Sequence, residues 1–346
     1  MIDLRGLYIE EMEELFKERG IPRFRAAQIF GWLNKNLAES FDDMKNIPKK
    51  LKEQLSAEFY ISEGKIIRKL VSSADNTCKY LFEFENNTII EGVLMKYGYG
   101  YAACISTQAG CNMGCKFCAS AIGGKDRNMT AGELLNEVYL MERDCGERIG
   151  HVVLMGSGEP LDNFDEVIRF IRLINSEKGY NLSQRRITLS TCGITDKIYE
   201  LMEERLQITL AVSLHAPNDD IRKRTMPVAK KYPMKELVDA CGAYAEETGR
   251  RVTFEYALIK GINDSPQCAG ELGERLKNIL CHVNLIPVND VKGKDEVFTR
   301  SSDRDIKDFC AILRSKGIET TIRRELGSDI NAACGQLRKG YIEDNA

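Results

Sequence analysis

Short apolar runs alternate with longer stretches of helical periodicity from about residue 100 onward. Consecutive parallel strands need a crossover connection that usually contains a helix, so this alternation predicts a parallel sheet. An open doubly wound sheet and a full or partial barrel both satisfy it. No Gly-x-Gly-x-x-Gly turn follows a strand, which disfavours the doubly wound dinucleotide-binding fold, and we predict an α/β protein with a partial (β/α)6 TIM-type barrel. The candidate strands are residues 102–107, 151–155, 187–191, 208–215, 252–259 and 282–288, with a seventh at 319–324.

The first 95 residues have a different organisation. Amphipathic helical periodicity recurs in three segments before residue 60 and predicts a small helical accessory domain. Two alternating segments, 80–84 and 88–95, flank a polar turn at 85–87 and predict a β-hairpin. The predicted domains are 1–60 (helical), 61–96 (hairpin segment), 97–326 (barrel core) and 327–346 (C-terminal tail).

The composition is that of an ordinary soluble globular protein, with 43 % apolar and 29 % charged residues. No stretch approaches the length of a membrane-spanning segment, and the N-terminus lacks a signal-peptide pattern, so we expect a cytoplasmic protein, and nothing demands an oligomer. The net charge of -3 argues against a uniformly basic nucleic-acid-binding surface but allows a local patch. Twelve cysteines stand out, because structural disulfides are rare in the cytosol.

Three of these cysteines, Cys111, Cys115 and Cys118, follow the first predicted barrel strand with the spacing C-x3-C-x2-C. Chemistry in barrel folds is expected at such carboxyl ends of strands. Thiolates this close on one loop can face one point, as a [4Fe-4S] cluster requires, and three ligands leave one iron open for a substrate or cofactor. A zinc site would need a fourth ligand, and no histidine lies near. A chance grouping in a cysteine-rich chain is the remaining alternative.

The loop resembles the cluster-binding loop of the radical S-adenosylmethionine (SAM) superfamily, in which the open iron binds the methionine part of SAM. The second predicted strand ends in Gly156-Ser157-Gly158-Glu159-Pro160, which resembles the Gly-Glu-Pro motif of that superfamily, although a simple turn would use the same residues. The glycines would let the backbone approach a ligand closely. Glu159 would accept a hydrogen bond from the ammonium group of the methionine part.

Longer matches narrow the resemblance to the RlmN/Cfr family of radical SAM RNA methyltransferases. Taken alone, Cys104 or Cys334 would be interpreted as a small buried residue. The resemblance implies instead that Cys334 accepts a methyl group from SAM and that Cys104 later forms a transient disulfide with it. The matching segments are 22–28, 104–111, 213–215, 282–289 and 332–337.

The family chemistry implies a radical route, because a ring carbon of adenine is electron-poor and cannot attack the methyl group of SAM in a polar displacement. The resemblance implies that a second SAM, cleaved with one electron from the cluster, gives a 5′-deoxyadenosyl radical that abstracts hydrogen from the S-methyl group of Cys334. The methylene radical adds to the adenine, and Cys104 then attacks the Cys334 sulfur to release methylated RNA. The tail after about Gly327 is expected to be mobile enough for this step.

The family resemblance also implies functional roles for several other residues. Glu91 matches a carboxylate that the family uses as a proton acceptor, whereas its sequence context alone indicates an exposed strand residue. His215 would otherwise be interpreted as a satisfied core histidine. The implied cofactor-binding residues, most of them at predicted strand ends, are Gly158, Glu159, Ser190, Ser213, Leu214, His215 and Asn289.

Two activities exist in the family. RlmN-type enzymes methylate C2 of an adenosine in 23S rRNA and of one beside the anticodon in tRNA, and Cfr-type enzymes methylate C8 of the same ribosomal adenosine and confer antibiotic resistance. Pro160 and the segment 287–289 resemble the RlmN type, so the predicted target is C2 and the alternative is C8. An iron–sulfur RNA-binding protein without catalysis is a third hypothesis, disfavoured by Cys104 and Cys334, which cluster binding does not need.

RNA binding requires a local positive surface. Arg23 and Arg25 lie beside Phe24 and Phe30 in the predicted accessory domain, and a second group of cations follows the fourth predicted strand. A solvated face is the alternative for both. The predicted partners are 23S rRNA, tRNA and an external one-electron donor of the flavodoxin or ferredoxin type. The second group comprises Arg222, Lys223, Arg224, Lys230, Lys231 and Lys235.

Overall fold

The N-terminal part of the chain is mainly helical, as predicted. The computed structural model describes residues 1–288 and 298–330. Three helices occupy Ile9–Glu18 (α1), Phe24–Asn34 (α2) and Lys49–Glu58 (α3). A parallel pair, Ile2–Asp3 (β1) with Phe59–Tyr60 (β2), joins the two ends of this part. The sequence did not predict this pair, because two-residue strands carry no periodicity.

Three antiparallel strands follow the helices, at Lys65–Val71 (β3), Cys78–Phe84 (β4) and Thr88–Tyr97 (β5). β4 and β5 form the predicted hairpin, with a tight turn at Glu85–Asn87. β3 was not predicted. It is an edge strand without a buried residue, so it lacks the apolar alternation on which a sequence-based prediction relies.

The rest of the described chain alternates strand and helix. Each of the seven predicted strands is present, with ends that differ by a few residues. None of the helices in the described ranges is long and apolar enough to span a bilayer. In chain order the elements are Gly100–Cys104 (β6), Gln108–Gly110 (β7), Lys125–Asn128 (β8), Ala131–Cys145 (α4), Ile149–Leu154 (β9), Phe164–Asn175 (α5), Ile187–Thr191 (β10), Thr195–Glu203 (α6), Thr209–Ser213 (β11), Asp219–Thr225 (α7), Met234–Thr248 (α8), Val252–Leu258 (β12), Pro266–Leu276 (α9), Cys281–Pro287 (β13), Asp303–Ser315 (α10) and Glu319–Ile322 (β14).

Ten strands form one sheet in the order β14-β13-β12-β11-β10-β9-β6-β5-β4-β3. The seven strands from β6 to β14 in this order are parallel, and β5 joins them antiparallel to β6. In the parallel part of the sheet, each strand lies beside the next parallel strand in the chain and the direction of this progression never reverses. Right-handed crossovers therefore place all the connecting helices on one face of the sheet. A doubly wound sheet would reverse its order. The predicted partial barrel with its hairpin extension is therefore confirmed, and β3 and β14 are the edges of the sheet.

Burial alternates along the barrel strands and separates two faces. On β10, Ile187 and Leu189 are fully buried, whereas Thr188 and Ser190 are half-buried. The fully buried residues pack against the helices, where burial of a leucine contributes about 2 kcal/mol. The half-buried residues line a lumen on the other face. This lumen face positions most of the side chains considered below.

Candidate active site

The three-cysteine loop lies between β7 and β8, two short antiparallel strands that follow β6. The N–H of Cys111 donates to the carbonyl of Gly124 at 3.2 Å, and the N–H of Cys118 donates to that of Cys115 at 3.2 Å. Gly114 has a φ of 70°, a left-handed conformation that glycine adopts without strain. The loop therefore folds back on itself at the carboxyl end of β6, as the sequence predicted.

The loop is also anchored to residues outside it. The N–H of Lys116 donates to the carbonyl of Thr225, at the end of α7, at 2.9 Å. The ring of Phe117 meets the ring of His215 edge-on, with centroids 4.9 Å apart, and that of Phe298 with centroids 6.4 Å apart. Phe117 stands between the second and third cysteines, so this packing holds the loop against the end of β11. No sequence pattern had singled it out.

The three thiols fit an iron–sulfur cluster by their chemistry. Cys111 is buried, and Cys115 and Cys118 are half-buried. Burial raises the pKa of the Cys111 thiol to about 11, so a thiolate there requires a cationic partner at neutral pH. Within the described residues, which include these three cysteines, no group of three cysteine, histidine, aspartate or glutamate side chains is arranged to hold a metal ion, so the cluster site stays a prediction. A donor set of three thiols on one loop matches a cluster with one open iron rather than a closed zinc site.

The loop after β9 packs directly against the chain that leaves β6. A Cβ atom on Gly156 would lie 2.6 Å from the carbonyl oxygen of Ile105, and one on Gly158 would lie 2.6 Å from the side chain of Gln108. Gly158 also has a φ of 104°. Contact between two protein segments therefore requires both glycines. The sequence interpretation had attributed them to the close approach of a ligand.

The Glu159 carboxylate is buried and already accepts two hydrogen bonds. The N–H of Leu161 donates to it at 3.0 Å and the N–H of Cys192 at 2.7 Å. The N–H of Glu159 donates to the side-chain oxygen of Gln108 at 2.9 Å. Burial raises the pKa of the carboxyl group. Glu159 thus ties the loop after β9 to the end of β10, and its contact with the methionine ammonium group stays a prediction.

Ser106 connects three parts of the site. Its N–H donates to Glu137 at 3.1 Å, its hydroxyl donates to the carbonyl of Glu91 at 2.6 Å, and the same hydroxyl accepts the N–H of Ser157 at 2.8 Å. Ser106 is fully buried. It therefore fixes β5, the exit from β6 and the loop after β9 relative to one another. A lone serine after a strand carries no sequence signal for this role.

Cys104 ends β6 and shares a register row with Val93 of β5 and Val153 of β9. Lys79 of β4 is paired with the same Val93, so its side chain lies on the face that carries Cys104. Glu91 lies two residues before Val93 on β5, and side chains two residues apart on a strand share a face, so Glu91 also lies on the lumen face. Lys79 and Glu91 are 1 % and 5 % exposed, and the Lys79 ammonium nitrogen lies 3.5 Å from a Glu91 carboxylate oxygen. The alternative that Glu91 is an exposed strand residue is therefore wrong. The sheet places this carboxylate on the same face as Cys104.

The predicted SAM-binding residues of the described chain lie near strand ends. Ser190 and Ser213 are half-buried on β10 and β11 and share the lumen face. Leu214 is fully buried, and its N–H donates to the carbonyl of Glu255 at 3.0 Å. Asn289 and Cys334 lie outside the described residues.

His215 occupies a constrained position directly after β11. Its φ is 54°, in the left-handed region, and its Nδ1 accepts the N–H of Ala257 at 2.8 Å. Burial, with a smaller contribution from the charge of Arg222, lowers the pKa of the imidazole to about 3. The ring is therefore neutral, with its proton on Nε2.

We expect His215→Asn to weaken the pH dependence of folding. The unfolded chain takes up a proton near pH 6.5 and the folded chain only near pH 3, so the stability of the wild type falls as the pH drops below 6.5. Between pH 7.5 and 5.5 this loss amounts to about 1.4 kcal/mol. Asparagine tolerates the positive φ and cannot be protonated. Urea unfolding of both proteins at the two pH values measures the difference, and identical losses in the two proteins would contradict it.

Arg222 does not belong to an RNA-binding surface, contrary to the sequence prediction. It is fully buried. Its guanidinium donates to the carbonyls of Cys192 at 2.6 Å, Leu214 at 3.3 Å and Tyr232 at 3.3 Å. It therefore caps carbonyl groups at the ends of β10 and β11, beneath the segment that anchors the cluster loop. The exposed cations of this group are Lys223, Arg224, Lys230, Lys231 and Lys235.

The N-terminal domain presents only some of its predicted RNA-contact residues on the surface. Phe24 is 57 % exposed, and the Arg25 guanidinium lies 4.8 Å from the centre of its ring. Arg23 forms an ion pair with Glu13 at 2.6 Å. Phe30 is buried, so it belongs to the core and not to a contact surface.

The start of the C-terminal tail is docked on the turn between β3 and β4. The N–H of Gly327 donates to Asp75 at 2.8 Å, and Asp329 accepts the hydroxyl of Ser72 at 2.7 Å and the N–H of Ser73 at 2.9 Å. The expected mobility of the tail after about Gly327, which would carry Cys334 to the barrel, stays a prediction. No two cysteines of the described ranges form a disulfide.

Comparisons with known proteins agree with this geometry. The model of the radical SAM superfamily matches residues 105–267, and that of the ribosomal RNA large subunit methyltransferase N-terminal domain matches residues 2–61. A crystal structure of a radical SAM methyltransferase from Sphaerobacter thermophilus is similar to this chain, with a TM-score of 0.92 and 43 % identity over 97 % of this chain and 99 % of that one. A three-cysteine loop at the mouth of such a barrel defines a radical SAM enzyme.

Full-length relatives specify the family. A protein of Clostridium novyi (strain NT) is 52 % identical over 345 residues, which cover 100 % of both chains. A protein of Alkaliphilus oremlandii (strain OhILAs) is 53 % identical over 99 % of both chains. Both are named probable dual-specificity RNA methyltransferase RlmN. This chain belongs to the RlmN family of radical SAM RNA methyltransferases, and the resemblance stated from its motifs is confirmed.

Proposed function

We propose that this protein methylates C2 of one adenosine in 23S rRNA and of an adenosine next to the anticodon in tRNA. The observation that carries the proposal is the lumen face of β4, β5 and β6, where Cys104 shares a face with the buried pair of Lys79 and Glu91. These are the thiol and the carboxylate that the chemistry needs, on the strands that lead into the cluster loop. The names of the full-length relatives support two RNA substrates.

The cofactors would be one [4Fe-4S] cluster and two molecules of SAM per turnover. Cys111, Cys115 and Cys118 would hold the cluster. When bound, the cluster supplies the electron that cleaves one SAM to its radical, and the other SAM donates a methyl group. The residues that would bind SAM are Gly158, Glu159, Ser190, Ser213, Leu214, His215 and Asn289.

The residues of the chain have separate tasks in this reaction. The Cys334 thiolate attacks the methyl carbon of SAM and becomes a thioether, and S-adenosylhomocysteine leaves. Once its methylene carbon is bonded to the adenine ring, the adduct carries one unpaired electron, which would return to the oxidised cluster, and Glu91 accepts the ring proton. Lys79 holds that carboxylate on the lumen face by their ion pair. The Cys104 thiolate then attacks the Cys334 sulfur. A disulfide forms, the bond from sulfur to the methylene carbon breaks, and that carbon takes up a proton to become the new methyl group.

Mass spectrometry of nucleosides tests this function. The holoenzyme is incubated with SAM, a reductant and either 23S rRNA or tRNA, and the RNA is digested to nucleosides. We expect 2-methyladenosine from both RNAs and none with Cys334→Ala. A product of 8-methyladenosine would establish the Cfr-type alternative instead. Absence of both methyladenosines, with no 5′-deoxyadenosine formed from SAM, would refute the enzymatic proposal.

The remaining partners follow from the same chemistry. The cluster must be reduced before SAM is cleaved, and the disulfide left by each turnover takes two electrons to return to thiols, so an external one-electron donor of the flavodoxin or ferredoxin type is required. We propose that the enzyme acts in the cytoplasm as a monomer.

A further inference from the structure

A cavity of about 180 Å³ occupies the lumen at the end where β6 and β10 begin. Its walls include Ala102 of β6, Val153 of β9 and Thr188 of β10. Val153 is the register neighbour of Cys104, and Thr188 is the register neighbour of Val153. Val153 and Thr188 therefore lie at the level of Cys104 in the sheet, whereas Tyr99, Arg185 and Arg186 lie where the strands begin, at the other end of the lumen from the cluster loop.

The turn between β5 and β6 gives this cavity an aromatic wall. The rings of Tyr97 and Tyr99 are stacked, with centroids 5.0 Å apart and an angle of 6° between their planes. His151 meets Tyr99 edge-on, with centroids 4.8 Å apart. Tyr99 is nevertheless 64 % exposed. An exposed ring that is held rigid by a second ring is a platform on which a nucleic-acid base can stack.

Three arginines line the same cavity. Arg185 and Arg186 immediately precede β10, and Arg323 immediately follows β14. All three are exposed, and in the part of the chain that the structure describes none forms an ion pair with a carboxylate within 4.0 Å. Other surface arginines do form such pairs, as Arg172 does with Glu204. Cations left unpaired around one cavity favour an anionic ligand.

An unsatisfied polar atom points to the same conclusion. The Nδ1 atom of His151 is buried and has no hydrogen-bond partner within the described residues. A buried polar atom without a partner destabilises the protein, and a polar ligand would supply the missing hydrogen bond. His151 lines the cavity together with Tyr99 and Arg186.

We propose, on the basis of the proposed function, that this cavity binds an unpaired nucleotide of the RNA substrate. Tyr99 stacks on its base, and Arg185 and Arg186 bind its phosphate groups. Guanidinium groups match phosphate oxygens in charge and geometry. A stacking ring beside arginines is the combination by which proteins bind single-stranded RNA, and an acidic protein partner would not need the ring.

The test uses the holoenzyme and a fluorescent RNA stem-loop with an unpaired anticodon loop, and measures its affinity by anisotropy over a range of NaCl concentrations. We expect Tyr99→Ala to weaken binding about tenfold or more, and Tyr99→Phe to retain it, because phenylalanine also stacks. The double variant Arg185→Ala/Arg186→Ala is expected to reduce the slope of log affinity against log salt by about 1.4, because each single-strand phosphate contact contributes about 0.7.

The matched controls are Tyr199→Ala, which removes another exposed tyrosine, and Arg304→Ala/Lys307→Ala, which removes two exposed cations from α10. We expect both to bind RNA as the wild type does. Wild-type affinity and slope in the cavity variants, or equal losses in the controls, would overturn the proposal. If the wild type binds the stem-loop through these residues but methylates no adenosine, the proposed function fails and the binding site stands.

Discussion

Cys104→Ala is expected to abolish turnover and to trap a covalent adduct between the protein and its RNA. In the proposed reaction, Cys334 is joined to the adenine through a methylene carbon, and only attack by a second thiol on that sulfur breaks the link. Cys104 is suited to this because it ends β6 on the lumen face, on the strand that leads into the cluster loop. A denaturing gel with labelled RNA, followed by mass spectrometry, detects the adduct.

Two variants control this experiment. Cys104→Ala/Cys334→Ala should give neither adduct nor product, because the carrier thiol is missing. Cys145→Ala should turn over like the wild type, because Cys145 ends α4 on the helical face and takes no part in the proposed reaction. Wild-type turnover by Cys104→Ala with no trapped RNA would show that the role given to Cys104 is wrong.

Lys79→Met is expected to destabilise the protein by about 3–5 kcal/mol, because it removes one charge of a buried ion pair. Lys79 and Glu91 are 1 % and 5 % exposed on adjacent strands, with charged atoms 3.5 Å apart. Methionine has a similar length, so it fills the space of lysine while removing its charge. Urea unfolding of the wild type and the variant measures the loss.

The double variant Lys79→Met/Glu91→Gln separates charge from packing. It removes both charges, so we expect it to recover most of the stability lost in Lys79→Met. Lys69→Met on neighbouring β3 is the matched control, because it removes a partly exposed lysine that pairs with Asp144, and such pairs contribute little. Equal destabilisation in Lys79→Met and Lys69→Met would indicate that burial of the Lys79–Glu91 pair is not the cause.

The features that the sequence predicted depend on local patterns. Seven strands and the parallel sheet follow from apolar periodicity and from the need for crossovers between parallel strands. The cluster loop follows from the spacing of Cys111, Cys115 and Cys118, since residues this close along one loop are close in space in any fold. Five strands were missed: β1, β2, β7 and β8 are too short for periodicity, and β3 is an exposed edge.

The amino-acid sequence by itself thus determined the class of fold, the family and the position of the cluster loop. Only the tertiary structure decided that Arg222 is buried among carbonyl groups, that Glu91 is buried beside Lys79, and that Tyr99 lines the same cavity as arginines from two other segments. The physical reason is that burial and register arise from contacts between segments distant in the chain. The identity of a charged residue in the sequence does not show whether water or protein surrounds its side chain.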